Sequence, residues 1–269
     1  MPDETDTGVR LRDLYEQSGG TGKIFSTKVT DYRNSRPDYP AALFDQLHRS
    51  CHLAADAVVA DIGAGSGLLT RGLLERGYSV IAAEPNTEMR NAANHALGGF
   101  PAYQGVNGCA EAIPLGDSSI DLITAAQAFH WFNLEMAKRE FLRVLRPRGM
   151  VALIWNDRVL TDPLHCALNE IFAEYGGEKR AALMTHEDRS KVPEFFGKAS
   201  PAKFSWPHQH SLDVVGLTSL VFSRSYMPER DSAKGKKISD AIGEVFDEFA
   251  QVGHIAVRYT TVLIAGRPG

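Results

Sequence analysis

The sequence predicts an α/β protein whose central sheet is doubly wound and mostly parallel. Three observations predict this fold. Short apolar runs alternate with amphipathic helical patterns as far as Trp155, and this alternation is typical of parallel strands joined by right-handed crossovers. A glycine-rich turn follows the first of these runs, at residues 63–67. The chain ends in a continuous β-type run at 256–265, which predicts that the last segment returns to the sheet.

The hydrophobic periodicity places each element in order. Pro40 is expected to open a helix whose apolar face includes Leu43, Phe44 and Leu47. The predicted strands are 57–61, 79–84, 102–106, 120–126 and 149–155, and the predicted helices between them are 67–76, 86–97 and 133–146. After Trp155 the pattern predicts a helix at 163–175, an extended segment at 203–210, helices at 212–222 and 238–252, and the terminal strand.

The same reading predicts the domain organisation. Residues 1–24 carry few apolar side chains and several glycines, which predicts a mobile N-terminal segment. Residues 25–269 are predicted to form one domain, with a substrate cap built from residues 25–40 and 156–230. The return of the last strand to the sheet favours such a cap over a separate second domain.

The most informative segment lies at the first strand-to-helix turn, where Asp61 is followed by Gly63, Gly65 and Gly67. Glycine lacks a Cβ atom and accepts positive φ, so a ligand can approach the backbone of such a turn. Because open α/β sheets bind ligands beyond their strand carboxyl ends, the turn predicts a site for a nucleotide-like molecule. The dinucleotide fingerprint would need glycine where Leu68 stands. The Asp61 carboxylate would also repel a diphosphate, whereas it suits an ammonium group.

At this point the sequence resembles a known family. Residues 58–67, VVADIGAGSG, resemble motif I of the class I S-adenosylmethionine-dependent methyltransferases. Four further segments resemble motifs of that family, in the family's order: Glu84 after an apolar run, CAEAIPL at 109–115, SIDLI at 119–123 and FLRVLRPRG at 141–149. Agreement among five motifs is much more specific than a lone glycine turn. The resemblance implies a Rossmann-like sheet of seven strands, with the terminal strand antiparallel between strands five and six.

Two segments outside these motifs resemble a subgroup of the family. YRNSRPDYP at 32–40 and SRSYMP at 223–228 are similar to segments of the type 11 methyltransferases that include trans-aconitate methyltransferase-like proteins. This subgroup acts on small molecules, so the resemblance implies a small-molecule methyl acceptor.

The family resemblance implies S-adenosylmethionine as the cofactor and assigns residues to it. Glu84 is implied to accept hydrogen bonds from the ribose hydroxyls, and Asp61 to lie near the amino end of the cofactor. The implied cofactor-binding residues are Tyr32, Arg36, Asp61, Gly63, Ala64, Gly65, Glu84, Pro85, Met89, Ala110, Glu111 and Gln127. Other roles stay open: Asp61 as a helix cap, Glu84 as a solvated strand end, and Met89 as a core residue.

The segment after the fourth strand, QAFHW at 127–131, is where the family's methyl group faces its acceptor. The Asn/Asp-Pro-Pro-aromatic motif of nucleic-acid amino methyltransferases is absent from it. His130 is the candidate catalytic base, because histidine transfers protons near neutral pH. A structural role for His130 is an equal alternative, and a carboxylate acceptor would need no base.

Several arginines are candidates for binding the methyl acceptor, because a guanidinium binds a carboxylate through two hydrogen bonds. The candidates for clamping an anionic acceptor are Arg33, Arg36, Arg158 and Arg224. For each of them a solvated surface role is the alternative. A second group is interpreted as a solvated helix face and consists of Arg139, Arg143, Arg146 and Arg148.

The predicted function is therefore methyl transfer from S-adenosylmethionine to a small molecule, with a carboxylate or hydroxyl acceptor favoured. A non-catalytic scaffold or sensor that binds the cofactor is the alternative. A nicotinamide oxidoreductase is disfavoured by Leu68 and Asp61.

Composition excludes several other classes. The chain has 269 residues and a formal charge of −4, which gives no general attraction to nucleic acid. Its three cysteines lack metal-ligand spacing and indicate reduced thiols, so no metal and a cytoplasmic location are expected. The acidic N-terminus does not resemble a signal peptide, and no apolar run approaches the ~20 residues of a membrane-spanning helix. The sequence does not indicate the oligomeric state.

Overall fold

A computed structural model describes residues 28–186 and 189–269. The predicted mobile segment 1–24 lies outside the described residues. The strands are β1 (Val58–Ile62), β2 (Ser79–Ala83), β3 (Tyr103–Val106), β4 (Ile120–Ala126), β5 (Leu145–Arg158), β6 (Ala202–Leu212) and β7 (Ile255–Gly266). The helices are α1 (Val29–Ser35), α2 (Ala41–Ser50), α3 (Leu68–Leu74), α4 (Thr87–Leu97), α5 (Leu134–Val144), α6 (Pro163–His186), α7 (Val192–Phe196), α8 (Val214–Phe222) and α9 (Ala233–Phe249).

The seven strands form one sheet in the order β3-β2-β1-β4-β5-β7-β6. Strand β1 pairs in parallel with β2 and β4, and β4 pairs in parallel with β5. The C-terminal strands are antiparallel, and β7 lies between β5 and β6. The predicted doubly wound, Rossmann-like sheet with its inserted terminal strand is therefore confirmed.

Strand β1 shows why the apolar run at 58–60 forms a central strand. Val59 and Leu122 belong to one hydrophobic cluster, whereas Ala60 and Ile123 belong to another. Since successive side chains of a strand point to opposite faces, the two clusters cover the two faces of the sheet. A strand buried on both faces has no polar alternation, which explains its continuous apolar sequence.

Three predicted elements differ from the structure by three residues or more at one or both ends: α6, β5 and α9. Helix α6 continues to His186 instead of ending at 175. It is interrupted by a kink at Gly177, where φ is +54° and the backbone is not helical. Strand β5 begins at Leu145, four residues before the predicted start, because Leu145 is already extended (φ −69°, ψ 134°). Helix α9 begins at Ala233, five residues early, because the Ser232 side chain caps it by accepting from the Gly235 amide.

The chain divides into two compact units. The described part of unit 1 comprises residues 28–37, 158–186 and 209–259, and unit 2 comprises 38–157, 189–208 and 260–269. The description as one domain with a cap from 25–40 and 156–230 stays a prediction. None of the helices in the described part of the chain is both long and apolar enough to cross a membrane.

Unit 1 is mainly helical. Helix α8 packs against α1 and α9, and α9 packs against α6. Lys28, which precedes α1, links that helix to the end of α8 and the segment after it. Its Nζ donates hydrogen bonds to the carbonyls of Phe222 (2.8 Å) and Met227 (2.9 Å). Burial lowers the pKa of Lys28 to about 8.

Candidate functional site

The glycine turn after β1 requires glycine at each of its three predicted positions. The φ angles are +70° at Gly63, +57° at Gly65 and +85° at Gly67, all in the left-handed region. A Cβ atom at Gly63 would lie 2.7 Å from the Ala128 Cβ, so the loops after β1 and β4 are in close contact. A Cβ atom at Gly65 would meet nothing within 4 Å. The backbone at Gly65 therefore borders open space, as the turn predicts for a ligand site.

Glu84 follows β2 and joins the second loop to the glycine turn. Its Oε2 accepts from the Gly65 amide at 2.9 Å, and its Oε1 accepts from the Asn86 amide at 2.8 Å. The side chain is buried, which raises the pKa of Glu84 above its ordinary value. Each carboxylate oxygen can accept a second hydrogen bond. Glu84 is thus a fixed, buried acceptor and not a solvated charge at a strand end.

Asp61 is also a buried acceptor, near the end of β1. It accepts from the Thr70 hydroxyl at 2.6 Å and from the Thr124 hydroxyl at 2.8 Å. Only 1% of the residue is exposed, and burial raises the pKa of Asp61 to about 6. Because Thr70 lies in the first turn of α3, the contact agrees with the helix-capping alternative as well as with a ligand role.

Other predicted residues hold the loops in place. Asn86 caps α4 by accepting from the Met89 amide at 2.9 Å, and Met89 is 3% exposed, which is the core role left open for it. Glu111 Oε1 accepts from the amide of Asn133, the residue that caps α5, at 2.6 Å. The Ala64 amide donates to the carbonyl of Ala83 at the end of β2, at 3.2 Å.

Two other predicted residues differ in exposure. Pro85 is exposed, whereas only 1% of Ala110 is accessible. Ala110 belongs to the same hydrophobic cluster as Ala83. Its side chain therefore packs in the core, and only the backbone of Ala110 is suited to face a ligand.

The loop after β4 carries backbone strain. Gln127 has a φ of +56°, which is uncommon for a residue other than glycine and is typical of functional loops. Its amide donates to the Ile154 carbonyl at 2.9 Å, and its side chain donates to the Asn156 carbonyl at 3.3 Å. His130 lies in the 3₁₀ helix Phe129–Trp131, half-buried, with its ring 4.9 Å from the Trp131 ring.

The remaining two predicted cofactor residues, Tyr32 and Arg36, lie in unit 1, where the Arg36 guanidinium packs 4.7 Å above the Tyr32 ring. The side chain of Arg33 lies outside the described part of the chain. The ten predicted cofactor residues from Asp61 to Gln127 and the candidate base His130 all belong to unit 2.

The donor and acceptor set of unit 2 fits S-adenosylmethionine better than a dinucleotide. Two buried carboxylates, Asp61 and Glu84, flank a turn with open space at Gly65. Such acceptors suit an ammonium group and ribose hydroxyls, whereas a diphosphate would meet like charge.

Comparison with known proteins decides the family. The profile of the methyltransferase domain family matches residues 60–153. An uncharacterized methyltransferase of Mycobacterium tuberculosis is 34% identical over 243 residues, which cover 89% of this chain and 93% of that protein. The chain belongs to the class I S-adenosylmethionine-dependent methyltransferases.

Two further comparisons agree with this methyltransferase assignment. An uncharacterized methyltransferase-like protein of Schizosaccharomyces pombe is 30% identical over 244 residues, 89% of this chain and 93% of the relative. A solved structure assigned to the type II methyltransferases, from Anaeromyxobacter dehalogenans, superposes with a TM-score of 0.58 at 23% identity, covering 86% of this chain and 97% of that one. That structure supports the fold, and the methyltransferase family uses S-adenosylmethionine as its cofactor.

Sequence reasoning missed several residues that shape this methyltransferase. Thr70 and Thr124 donate hydrogen bonds to Asp61. The sequence indicated them only as hydroxyl side chains within a mainly apolar helix and a mainly apolar strand. Asn156 accepts from Thr261 through Oδ1 (2.6 Å) and donates to the Asp38 carbonyl (3.1 Å).

The interpretation of Arg143 as part of a solvated face is wrong. Its guanidinium donates to the carbonyls of Ile113 (2.9 Å) and Leu115 (2.8 Å) and pairs with Asp117 (2.7 Å) and Glu140 (2.8 Å). Arg143 therefore fixes the loop that follows Ala110 and Glu111.

Replacing Glu84 by alanine is expected to weaken binding of S-adenosylhomocysteine by about 1.5–3 kcal/mol, or about 10- to 150-fold, because a charged acceptor of hydroxyl donors is lost. The fold should persist at a lower Tm, since two loop amides lose their acceptor. Calorimetric titration measures the affinity. Glu88→Ala, an exposed position in the first turn of α4, is the matched control, and equal affinity of the two variants would contradict the ribose role.

Proposed function

We propose that this methyltransferase transfers a methyl group to a small-molecule acceptor, with a carboxylate or a hydroxyl as the favoured nucleophile. The observation that carries the cofactor half of this proposal is the open turn at Gly65 beside the buried carboxylates of Asp61 and Glu84. The resemblance of residues 32–40 and 223–228 to the small-molecule subgroup supports the acceptor half.

S-adenosylmethionine, when bound, supplies an electrophilic methyl group on a positively charged sulfonium. The chain's own part is to bind and orient it. Asp61 would hold the ammonium end, Glu84 would accept from the ribose hydroxyls, and the amides near Gly65 would line the methionine moiety. Because methyl transfer cancels a positive charge, alignment and exclusion of water matter more than acid catalysis.

His130 would serve as a base only for a hydroxyl acceptor, since a carboxylate is already a nucleophile. Its place in the short 3₁₀ helix after β4 supports this role. The aromatic side chain of Trp131 lies beside it, and an aromatic face attracts a cation such as a sulfonium. The formal charge of −4 favours a small acceptor over a nucleic acid.

The cofactor half predicts that S-adenosylmethionine and S-adenosylhomocysteine bind and that NAD does not, because Leu68 and two buried carboxylates disfavour a diphosphate. Isothermal titration with the three ligands under one buffer condition tests this. Tight NAD binding without S-adenosylhomocysteine binding would contradict it.

The acceptor half is tested by incubating the full chain with methyl-labelled S-adenosylmethionine and a set of small acids, phenols and amines. Label transfer to an acid or a phenol supports the proposal. Transfer to tRNA, DNA or protein alone would overturn it. Tight cofactor binding with no transfer to any of these acceptors would favour the non-catalytic scaffold or sensor.

A further inference from the structure

Three arginines of unit 1 lie around one buried tyrosine, Tyr259. Arg36 follows α1, Arg158 ends β5 and Arg224 follows α8, so three separate chain segments supply them. Each of the three charges acts on the pKa of the Tyr259 hydroxyl, although burial is the larger effect and raises that pKa. Tyr259 is 3% exposed. The three guanidinium groups therefore share one environment.

Aromatic rings fix the guanidinium groups of this arginine cluster. Arg158 and Arg224 both lie over the ring of Phe172, with Cζ atoms 5.4 and 5.7 Å from its centroid. Arg36 lies over Tyr32. A guanidinium over an aromatic ring is held there by cation–π attraction. The shared Phe172 ring therefore keeps Arg158 and Arg224 close together.

Like charges act on one another within this cluster. Burial and the neighbouring charge of Arg224 both lower the pKa of Arg36. The charges of Arg158, Arg224 and Asp162 all influence the pKa of His165, so Asp162 is a carboxylate near the cluster. Asp162 already forms an ion pair with Arg258 at 3.0 Å. The charge of the cluster is therefore not offset by this carboxylate.

Two buried donors at the cluster lack acceptors. The Arg36 Nε and the Tyr259 hydroxyl have no hydrogen-bond partner among residues 28–186 and 189–269. Another nitrogen of Arg36, Nη2, donates to the Ser223 carbonyl at 3.4 Å, so the side chain is held in place. Buried polar groups in proteins almost always have a partner, and these two are best satisfied by a ligand oxygen.

We propose that the cluster of Arg36, Arg158, Arg224 and the Tyr259 hydroxyl binds a small oxyanion with at least two acceptor oxygens. The Arg36 Nε and the Tyr259 hydroxyl would each donate to one of these oxygens, and two further arginines over the Phe172 ring would favour an anion over a neutral ligand. The identification of this oxyanion as the anionic part of the methyl acceptor rests on the proposed function; the anion site itself does not.

The test is titration of the full chain, without cofactor, with succinate, with inorganic phosphate, and with succinamide as the uncharged counterpart, at constant ionic strength. We expect succinate or phosphate to bind and raise the Tm, and succinamide to do neither. Whichever of succinate and phosphate binds more tightly shows whether the site prefers a dicarboxylate or a phosphate. Arg36→Met and Arg224→Met should each weaken that binding by on the order of tenfold or more, because a charged hydrogen bond is removed.

Arg230→Met is the matched control. Arg230 is also an arginine of unit 1 stacked on an aromatic ring, Phe222, but it is paired with Asp31 at 2.7 Å. Cooperative unfolding in urea, measured without ligand, reports separately that each variant is folded. Absence of binding by both dianions, or equal binding by all three variants, would overturn the anion site. Methyl transfer is assayed separately, so failure of the proposed function and failure of the anion site give different results.

Discussion

Replacing Gly65 by valine is expected to abolish detectable binding of S-adenosylhomocysteine while the protein remains folded. Gly65 has a φ of +57°, its amide donates to the Glu84 carboxylate, and a Cβ atom there would project into open space. A β-branched side chain at positive φ is strained by about 1–2 kcal/mol, and it would also fill the volume that the ligand needs. We expect the affinity to fall by more than about 100-fold, or about 3 kcal/mol.

Gly77→Val separates the two effects. Gly77 has a φ of +87°, and a Cβ atom there would also meet nothing within 4 Å, but this glycine lies in the turn between α3 and β2, away from Glu84. Both variants should lose similar stability in urea unfolding, and only Gly65→Val should lose the ligand in calorimetric titration. Normal ligand binding by Gly65→Val would remove the glycine turn from the site.

Asp61 is expected to make both stability and cofactor affinity depend on pH between about 4 and 6. Its pKa is about 6 in the folded protein against an ordinary value of 3.8. Between these values the folded state binds more protons than the unfolded state at this residue. The stabilising contribution of Asp61 is therefore fully present below about pH 4 and is lost as pH rises through about 6. At about 1.4 kcal/mol per pKa unit, the total change is about 3 kcal/mol.

Cofactor affinity should change in the opposite direction. An ammonium group favours the ionised carboxylate, so affinity for S-adenosylhomocysteine should fall by up to about tenfold per pH unit below about pH 6. Asp61→Asn removes the titrating group, while its amide can still bond to the hydroxyls of Thr70 and Thr124. We expect this variant to bind more weakly at pH 7.5 and to show a smaller dependence of affinity and stability on pH than the wild type between about 4.5 and 7. The dependence that remains is expected from Glu84, whose pKa burial also raises.

Unfolding in urea and calorimetric titration across this pH range check both expectations. Asp56→Asn, an exposed carboxylate that precedes β1, should keep the wild-type profile. Identical pH profiles for wild type and Asp61→Asn would show that another group titrates.

Elements with strong local signals were predicted within one or two residues. Strand β1 and helix α4 are examples. A short run of buried residues identifies β1, and the capping residue Asn86 directly before the helix identifies the start of α4. The break at Gly177 was predicted as the end of a helix, since a glycine at positive φ looks locally the same whether the helix resumes or not. Helix α7 spans five residues, too few for a helical period to show.

The site residues also fall into two groups, those that a local sequence pattern indicates and those that only the fold brings together. The glycine turn and Glu84 were recognisable because their residue types are demanded by backbone geometry and by the end of a strand. The contact of Asp61 with Thr124 joins residues far apart in sequence, and no local pattern contains it. The sequence singled out four arginines as anion clamps, but only the folded chain shows that Arg36, Arg158 and Arg224 share the environment of Tyr259.

The interleaving of the two units along the chain has a consequence for biosynthesis. Unit 1 takes its last residues from 209–259, and unit 2 takes its last from 260–269. Domains of most proteins fold one after another as they leave the ribosome. Here neither unit has all its segments until the final strand has been translated, so the emerging chain must keep its unpaired strand edges from aggregating until then. A fold of this connectivity is expected to depend on long-range contacts and to form slowly, only once residues 255–266 have been translated.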